Sequence, residues 1–312
     1  MKISKVLAII TGLHIGGADD TMKIGGVDSP VIKRSIKWNR NKKRVDLVNG
    51  EILTEPYIPG SSLKGKIRSL LEHEFGLHKE LLNQYREKES KLLPILQSEG
   101  IQSIKELKKL IEKKNKSDEE KQKIERIKKT SEYEEFEKIE KVCRNSVSSV
   151  HFKYLSKDGI KKAKLIIKLF GEGGGESESD EITIPRVVFR DAFITDKIRE
   201  KYLSGDIELT EEKFENVIDR FSGKTKTGGL RQIERVVPGI EFKFEVIIRE
   251  LDESDDTKLF EKTILLGMKL LEDDYLGGNG TRGYGKVEFI EKIDESVESL
   301  KDEVNKKLGI TQ

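Results

Sequence analysis

Half of the side chains between Lys79 and Lys141 are charged, 17 basic and 15 acidic in 63 positions. A stretch this polar cannot lie inside a sheet, because a buried charge without a partner costs several kcal/mol. Three Ser-x-x-Glu patterns punctuate it, Ser103 to Glu106, Ser117 to Glu120 and Ser131 to Glu134. Each is the signature of a helix N-terminus whose two orphan donors are satisfied reciprocally. Ile104, Leu107, Leu110 and Ile111 recur at helical spacing. The run therefore reads as an inserted subdomain of three or four helices over 79–141, and its mixed signs describe a solvated face.

The flanking sequence must supply the core. Residues 2–11 read as a strand broken by the glycines after Thr11, and 18–57 read as mostly loop, including the polar run Lys37 to Arg44. Gly60 to Glu74 reads as a helix, with Leu63, Ile67, Leu70 and Leu71 on one face and Ser61 or Ser62 as its N-cap. Strands are expected at 186–193, at Phe242 to Ile248 with period-two alternation, and at 287–290. A helix is expected over 257–273, and a charged helix beyond about 295. Gly171 to Asp180 contains only glycine, serine and acid, a flexible-loop composition. These elements predict an α+β fold with one antiparallel sheet, as in ferredoxin-like architectures.

Net charge is +2 across 312 residues, so any nucleic-acid site must come from local clustering. No stretch has the length of a membrane span. The one cysteine, Cys143, excludes an internal disulfide and fits a reducing cytoplasm.

Several segments carry chemistry. Lys64 and Arg68 share a helix face with Lys66 beside them, and the backbone N–H groups near Gly60, Ser61 and Ser62 offer a helix N-terminus to an anion. Together they form a phosphate clamp, or simply an amphipathic surface helix. The loop Leu276 to Lys286 contains Gly278-x-Gly280-x-x-Gly283. A dinucleotide-binding turn would need a strand before it and a helix after it, the reverse of what is expected here. A glycine loop also lets an RNA strand approach closely, with Arg282 and Lys286 for charge and Tyr284 for base stacking. A hairpin at about 215–240 offers Arg231 and Arg235 to phosphates, and Leu230, Ile233 and Val236 to packing or to wedging between bases.

Asp28, between glycines and Pro30, can ligate a divalent ion, orient a ribose 2′-hydroxyl for in-line attack, or cap its own backbone in an Asx turn. Asp19 and Asp20 could supplement a metal site there. His14, beside Gly16 and Gly17, offers an RNA contact, an acid or base, or a packed loop histidine. His73, His78, Cys143 and His151 bracket the insertion and have the ligand types, though not the spacing, of a zinc staple.

As an ordered set, these motifs resemble the repeated backbone RAMP subunit of type III-A (Csm) CRISPR effector complexes. The blocks are Thr11 to Gly17, Val27 to Ile32, Ile58 to Arg68, Leu169 to Gly171, Phe189 to Phe193, Arg231 to Arg235 and Tyr275 to Lys286. The resemblance implies an RRM-like, ferredoxin-like RAMP core over 1–78 and 142–290, interrupted by the helical insertion, with a projecting β-hairpin thumb and a charged tail helix over 291–312. It implies guide crRNA and target RNA as ligands, and copies of the same chain in a head-to-tail filament. Other Csm subunits would be the crRNA 5′-end capping RAMP subunit, the large cyclase subunit and the small subunit. It assigns Asp28 to target cleavage with Mg2+ or another divalent cation, and RNA contacts to His14, Lys64, Arg68 and the glycine loop near Arg282. A non-catalytic RNA scaffold and a metal-independent repeat-processing endonuclease using His14 are the competing functions. Residues 79–141 and 37–52 exceed what a compact member of that family needs.

Overall fold

The computed structural model describes residues 1–17, 28–172, 184–226 and 228–310. The chain divides into two compact units, Met1–Leu70 with Arg186–Gln312, and Leu71–Pro185.

The first unit is built on an antiparallel sheet. Its strands are β1 (Lys2–Ile9), β2 (Lys33–Asn39), β3 (Arg44–Val45), β4 (Glu51–Ile58), β5 (Val187–Phe189), β6 (Ala192–Ile194), β9 (Glu241–Ile248) and β10 (Val287–Phe289). Their order is β10-β1-β9-β6-β4-β2-β3, with β5 also paired to β9. β7 (Thr210–Glu215) and β8 (Arg231–Val236) form a separate two-stranded hairpin. β9 is central because its inward positions Phe242, Phe244, Val246 and Ile248 are all buried, as period-two alternation demands. The helices of this unit are α1 (Gly60–Glu74, whose last turn falls in the second unit), α7 (Asp196–Ser204), α8 (Thr257–Asp273), which packs against β9 and β10, and α9 (Val297–Lys307), which packs on α8. Leu63 and Ile67 of α1 and Ile264, Leu266, Met268 and Leu271 of α8 are buried.

Three expectations need correction here. Residues 33–58 are not loop but a three-stranded extension of the sheet. β2 presents Arg34, Ile36 and Trp38 inward, and a guanidinium at one inward position breaks the apolar alternation that would announce a strand. The strand foreseen at 186–193 is two strands. From Phe189 to Phe193 the chain advances four residues while its partner β9 goes only from Val246 to Lys243. The extra residue is a β-bulge, a device that re-aims side chains. Here Asp191 turns to accept the Gly60 N–H at 2.8 Å. The Asp191 carboxylate therefore caps α1, and neither Ser61 nor Ser62 stands at its N-cap, since the helix already begins at Gly60.

The second unit is helical: α2 (Leu77–Ser98), α3 (Ile104–Glu112), α4 (Asp118–Lys128), α5 (Ser131–Val142), a 3-10 turn over Ser149–Tyr154, and α6 (Lys157–Phe170). Leu92, Leu96, Ile104, Leu107, Ile127 and Phe136 form its core. Ser117 makes the full reciprocal capping box with Glu120. Ser103 accepts from the Glu106 N–H, but Glu106 reaches back to Gln102 instead. The third cap sits one residue earlier than expected, on Thr130, which accepts from Tyr133. The unit is also wider than 79–141, because apolar α6, with Ala163, Ile166, Leu169 and Phe170 buried, belongs to it. Charge density marks its exposed faces, not the limits of its packing. The Gly171 to Asp180 stretch lies largely outside the described residues. No helix among the described residues is long and apolar enough to cross a membrane.

Candidate functional site

Three backbone segments knit together beside β8. Leu13 and Val236 exchange two backbone hydrogen bonds, of 3.1 and 2.8 Å. Ser29 pairs in parallel with Ile233, and its carbonyl accepts the Glu234 N–H at 3.0 Å. Gly16 pairs with Val31, and the Ile32 N–H donates to the Ile15 carbonyl at 2.9 Å. The loop carrying Asp28 is therefore stitched on one side to the glycine turn after β1 and on the other to the hairpin.

Asp28 is exposed, and its Oδ2 accepts the Gln232 N–H at 3.0 Å. The donor belongs to β8, 204 positions away, so this contact is not the Asx turn on its own backbone that the sequence offered. An exposed carboxylate with one oxygen held by backbone can take a proton from a ribose hydroxyl or hold a cation. Asp19 and Asp20 lie outside the described residues. Among the described residues no group of three or more His, Cys, Asp and Glu is arranged to hold a metal ion. A lone exposed carboxylate fits a hard divalent cation that keeps most of its waters and takes further oxygens from a phosphate.

Two residues after Gln232 on β8 stands Glu234, which the sequence motifs did not single out. It is 7% exposed. Its Oε2 accepts the Val31 N–H at 3.0 Å, and its Oε1 pairs with the Lys33 ammonium. Burial alone would raise its pKa, but Lys33, the Val31 N–H and the Thr210 hydroxyl together hold it below the ordinary glutamate value. His14 is nearly as buried, at 9%. Its Nδ1 lies 2.7 Å from the Glu234 carbonyl, which can only accept, so Nδ1 carries a proton. Its Nε2 faces the Ser29 hydroxyl at 3.3 Å. His14 is thus the packed loop histidine among the readings offered for it, with only its Nε2 edge turned toward Ser29.

The glycine loop follows α8 and precedes β10, which excludes the dinucleotide-binding arrangement. It docks on the same segments. The Gly278 N–H donates to the His14 carbonyl at 2.8 Å, and Gly285 N–H to the Gly12 carbonyl at 3.0 Å. At Gly285, φ is +74° and a Cβ would stand 2.0 Å from the Leu276 carbonyl oxygen. Gly285→Ala is therefore expected to cost about 2 kcal/mol or more, from positive φ and overlap with backbone that cannot yield. Urea unfolding would check this, and a loss below 0.5 kcal/mol, a rough surface-mutation scale, would refute it.

Tyr284 cannot stack on a base as expected. It is 1% exposed, and its hydroxyl donates to Glu215 Oε1 at 2.9 Å. Burial first, and then Glu215, push its pKa up to about 12. Arg235 lies over the Tyr284 ring and pairs with Glu211 at 2.7 Å, so it braces the hairpin. Lys286 donates to the Glu272 carbonyl. Gly280 packs against the Tyr275 ring, whereas Gly283 faces open space. Ile233 and Val236 are buried and so pack, while Leu230, Ile218 and Phe221 are exposed on the hairpin.

Arg231 and Arg282 do come together. With Arg220, which the motifs did not flag, they line a cavity of about 550 Å³ between the hairpin and the glycine loop. Arg282 pairs with Glu215 at 2.9 Å yet remains 58% exposed. On α1, Lys64 and Arg68 stand side by side, and Lys64 has its pKa lowered by burial and then by Arg68. Arg68 is 8% exposed. Lys66 departs from the clamp, since it pairs with Asp274 at 2.8 Å and lies over the Tyr275 ring. The α1 N-terminus is also partly spent, with Gly60 N–H given to Asp191 and Ser62 N–H to the Pro59 carbonyl.

The histidine and cysteine set does not assemble in the helical unit. His73, His78 and Cys143 line one cavity of about 340 Å³, with the two imidazoles tilted against each other, their centroids 4.2 Å apart. His151 is fully buried elsewhere, its Nε2 donating to the Val142 carbonyl at 2.9 Å and its Nδ1 accepting the Ser148 N–H at 3.0 Å. Both nitrogens serve backbone, which leaves no lone pair for zinc.

Comparison with known proteins matches residues 6–288 to the RAMP superfamily. The CRISPR system Cms endoribonuclease Csm3 of Methanocaldococcus jannaschii is 34% identical over 284 residues, 91% of this chain and 76% of the relative. The proteins of the same name from Streptococcus thermophilus and Mycobacterium tuberculosis are 31% and 29% identical, each alignment covering 93% of this chain and 86% of the relative. An antiparallel sheet, a hairpin stitched to the Asp28 loop and a docked glycine loop are thus the frame of a family member, and the chain belongs to the RAMP superfamily, among the Csm3 endoribonucleases.

Proposed function

We propose that this chain is the guide-RNA-binding backbone subunit of a type III-A CRISPR effector complex, and that it cleaves bound target RNA at Asp28. The observation that carries the reading is the exposed Asp28 carboxylate, fixed by the Gln232 N–H on a loop stitched to β8. In this reading the sheet and its helices are a ferredoxin-like RAMP core, and the β7–β8 hairpin is the thumb that intrudes on the guide–target duplex. Copies of the chain stack head to tail along the guide, and other Csm subunits end the stack, since a heterologous interface does not close on itself.

Asp28 would hold a divalent cation, Mg2+ by preference, whose charge when bound neutralises the scissile phosphate. The chain's own part is positional. β8 fixes the Asp28 carboxylate, and the arginine cavity and Lys64 provide phosphate contacts, whereas buried Arg68 stands behind Lys64. In-line attack of a ribose 2′-oxygen on the adjacent phosphorus breaks the bond to the 5′-oxygen, with the 2′-hydroxyl proton passing to the Asp28 carboxylate or to water and the leaving oxygen taking a proton from water. The products are a 2′,3′-cyclic phosphate and a 5′-hydroxyl.

The test is target cleavage by a complex reconstituted with guide and magnesium. Evenly spaced cuts abolished by EDTA support the reading. Hairpin cutting by the isolated chain in EDTA would favour repeat processing instead. Target held but uncut would leave a scaffold. Phosphate contact is also expected to be blind to sequence. Arg231→Ala with Arg282→Ala should weaken all guides alike and lower the salt slope of binding by roughly 2. A loss confined to particular guide sequences, measured by filter binding at several salt concentrations, would contradict it.

A further inference from the structure

We infer that Glu234 is the positioning residue of the Asp28 loop, an assignment that rests on the reading of Asp28 as the cleavage residue. The loop from Asp28 to Lys33 is paired on one side with the glycine turn after β1, through Gly16–Val31 and Ile32–Ile15, and on the side of β8 it is held by Glu234, through its buried side chain and its peptide groups. The Glu234 N–H donates to the Ser29 carbonyl at 3.0 Å, and its Oε2 accepts the Val31 N–H at 3.0 Å. Its Oε1 pairs with Lys33, and its carbonyl accepts from His14 Nδ1 at 2.7 Å. Two residues earlier on the same strand, the Gln232 N–H holds Asp28 Oδ2. β8 thus reads the loop at both ends, at Asp28 through backbone and at Val31 and Lys33 through a carboxylate.

The charge matters as well as the shape. A carboxylate accepts from an amide and an ammonium at once, and hydrogen bonds to an ionised group are roughly twice as strong as neutral ones. Removing it leaves the Val31 N–H without its acceptor in a buried setting and Lys33 without its counter-ion. The Asp28 carboxylate would then sample positions away from the scissile phosphate, and misplacement by about 1 Å can cost a hundredfold in rate. Glu234 touches neither RNA nor a reacting atom in this scheme. It acts through Val31 and Lys33.

The experiment compares wild type, Asp28→Ala, Glu234→Gln and Glu234→Ala in the guide-loaded complex. It measures single-turnover target cleavage, guide and target affinity, and amide hydrogen exchange of the peptide spanning 29–33. Glu234→Ala is expected to slow cleavage at least about tenfold with affinities unchanged within twofold, and to raise exchange at Val31. Glu234→Gln, which keeps an oxygen for the Val31 N–H, should recover part of both. If Glu234→Ala does not assemble, Glu234→Gln decides. Wild-type cleavage and exchange by the Glu234 variants, with Asp28→Ala inactive, would overturn the positioning role and leave the Asp28 reading intact. Normal cleavage by Asp28→Ala would overturn both that reading and the catalytic part of this one, with exchange at Val31 still reporting whether Glu234 holds the loop.

Discussion

Asp28→Ala is expected to abolish periodic cutting of target RNA, a fall of at least about a hundredfold, while the complex still assembles on its guide and holds its target. Alanine removes two things at once, the charge and the acceptor for the Gln232 N–H, so a second substitution is needed to separate them. Asp28→Asn keeps an amide oxygen where Oδ2 now accepts at 3.0 Å, and so preserves the stitch to β8. If the carboxylate works through its charge, by holding a divalent ion or taking a proton, Asn should be as inactive as Ala. If Asp28 serves only to order the loop, Asn should cut nearly as wild type. The two variants, assayed side by side in magnesium for rate and for target affinity, thus distinguish chemistry from architecture. Wild-type cutting by Asp28→Ala would move the active residue elsewhere.

What the sequence made legible follows physical rules of short range. The limits of α1 and α8 could be read because their apolar residues repeat with the helical period and their neighbours are proline, glycine and acids. β9 could be read because its faces alternate cleanly. The 33–58 strands could not, because Arg34 fills an inward position through a partner, Glu55, that only the fold supplies. The Asp191 cap of α1 was hidden for the same reason, as it is delivered by a bulge in a strand 131 positions away. At the site, Asp28 and the glycine loop announce themselves by composition. Glu234 lies in the Arg231 to Arg235 block, where alternating charge looks like any solvated strand, and only the Val31 and Lys33 contacts reveal its burial. Tyr284 misled for the converse reason, since an aromatic between glycines looks available until Glu215 and the hairpin cover it.

The largest effect on stability is expected at Glu55, whose side chain is fully buried between two arginines. Arg34 donates to its Oε1 at 2.6 Å, and Arg199 to Oε2 at 2.8 Å and to Oε1 at 3.1 Å. The guanidinium of Arg34 also lies over the Phe193 ring, and that of Arg199 over Trp38 at 4.1 Å. The carboxylate thus joins β4 to β2 and α7, and without it Arg199, 3% exposed, keeps Asp196 as its one counter-ion among the described residues. Glu55→Ala should therefore destabilise the fold by about 3 to 5 kcal/mol, the cost of stranding a buried charge. At about 2 to 4 °C per kcal/mol for a domain of this size, Tm should fall by roughly 10 °C. The same deletion at the exposed Glu125, which pairs with Lys129 one helical turn away, should change stability by no more than about 0.5 kcal/mol. Thermal unfolding of the two variants settles the matter, because equal shifts would mean that water reaches Glu55. Exchanging the whole triad for apolar side chains, Arg34→Met with Glu55→Leu and Arg199→Met, should then recover much of the loss. The penalty in Glu55→Ala comes from the arginines left behind, and it disappears when they do.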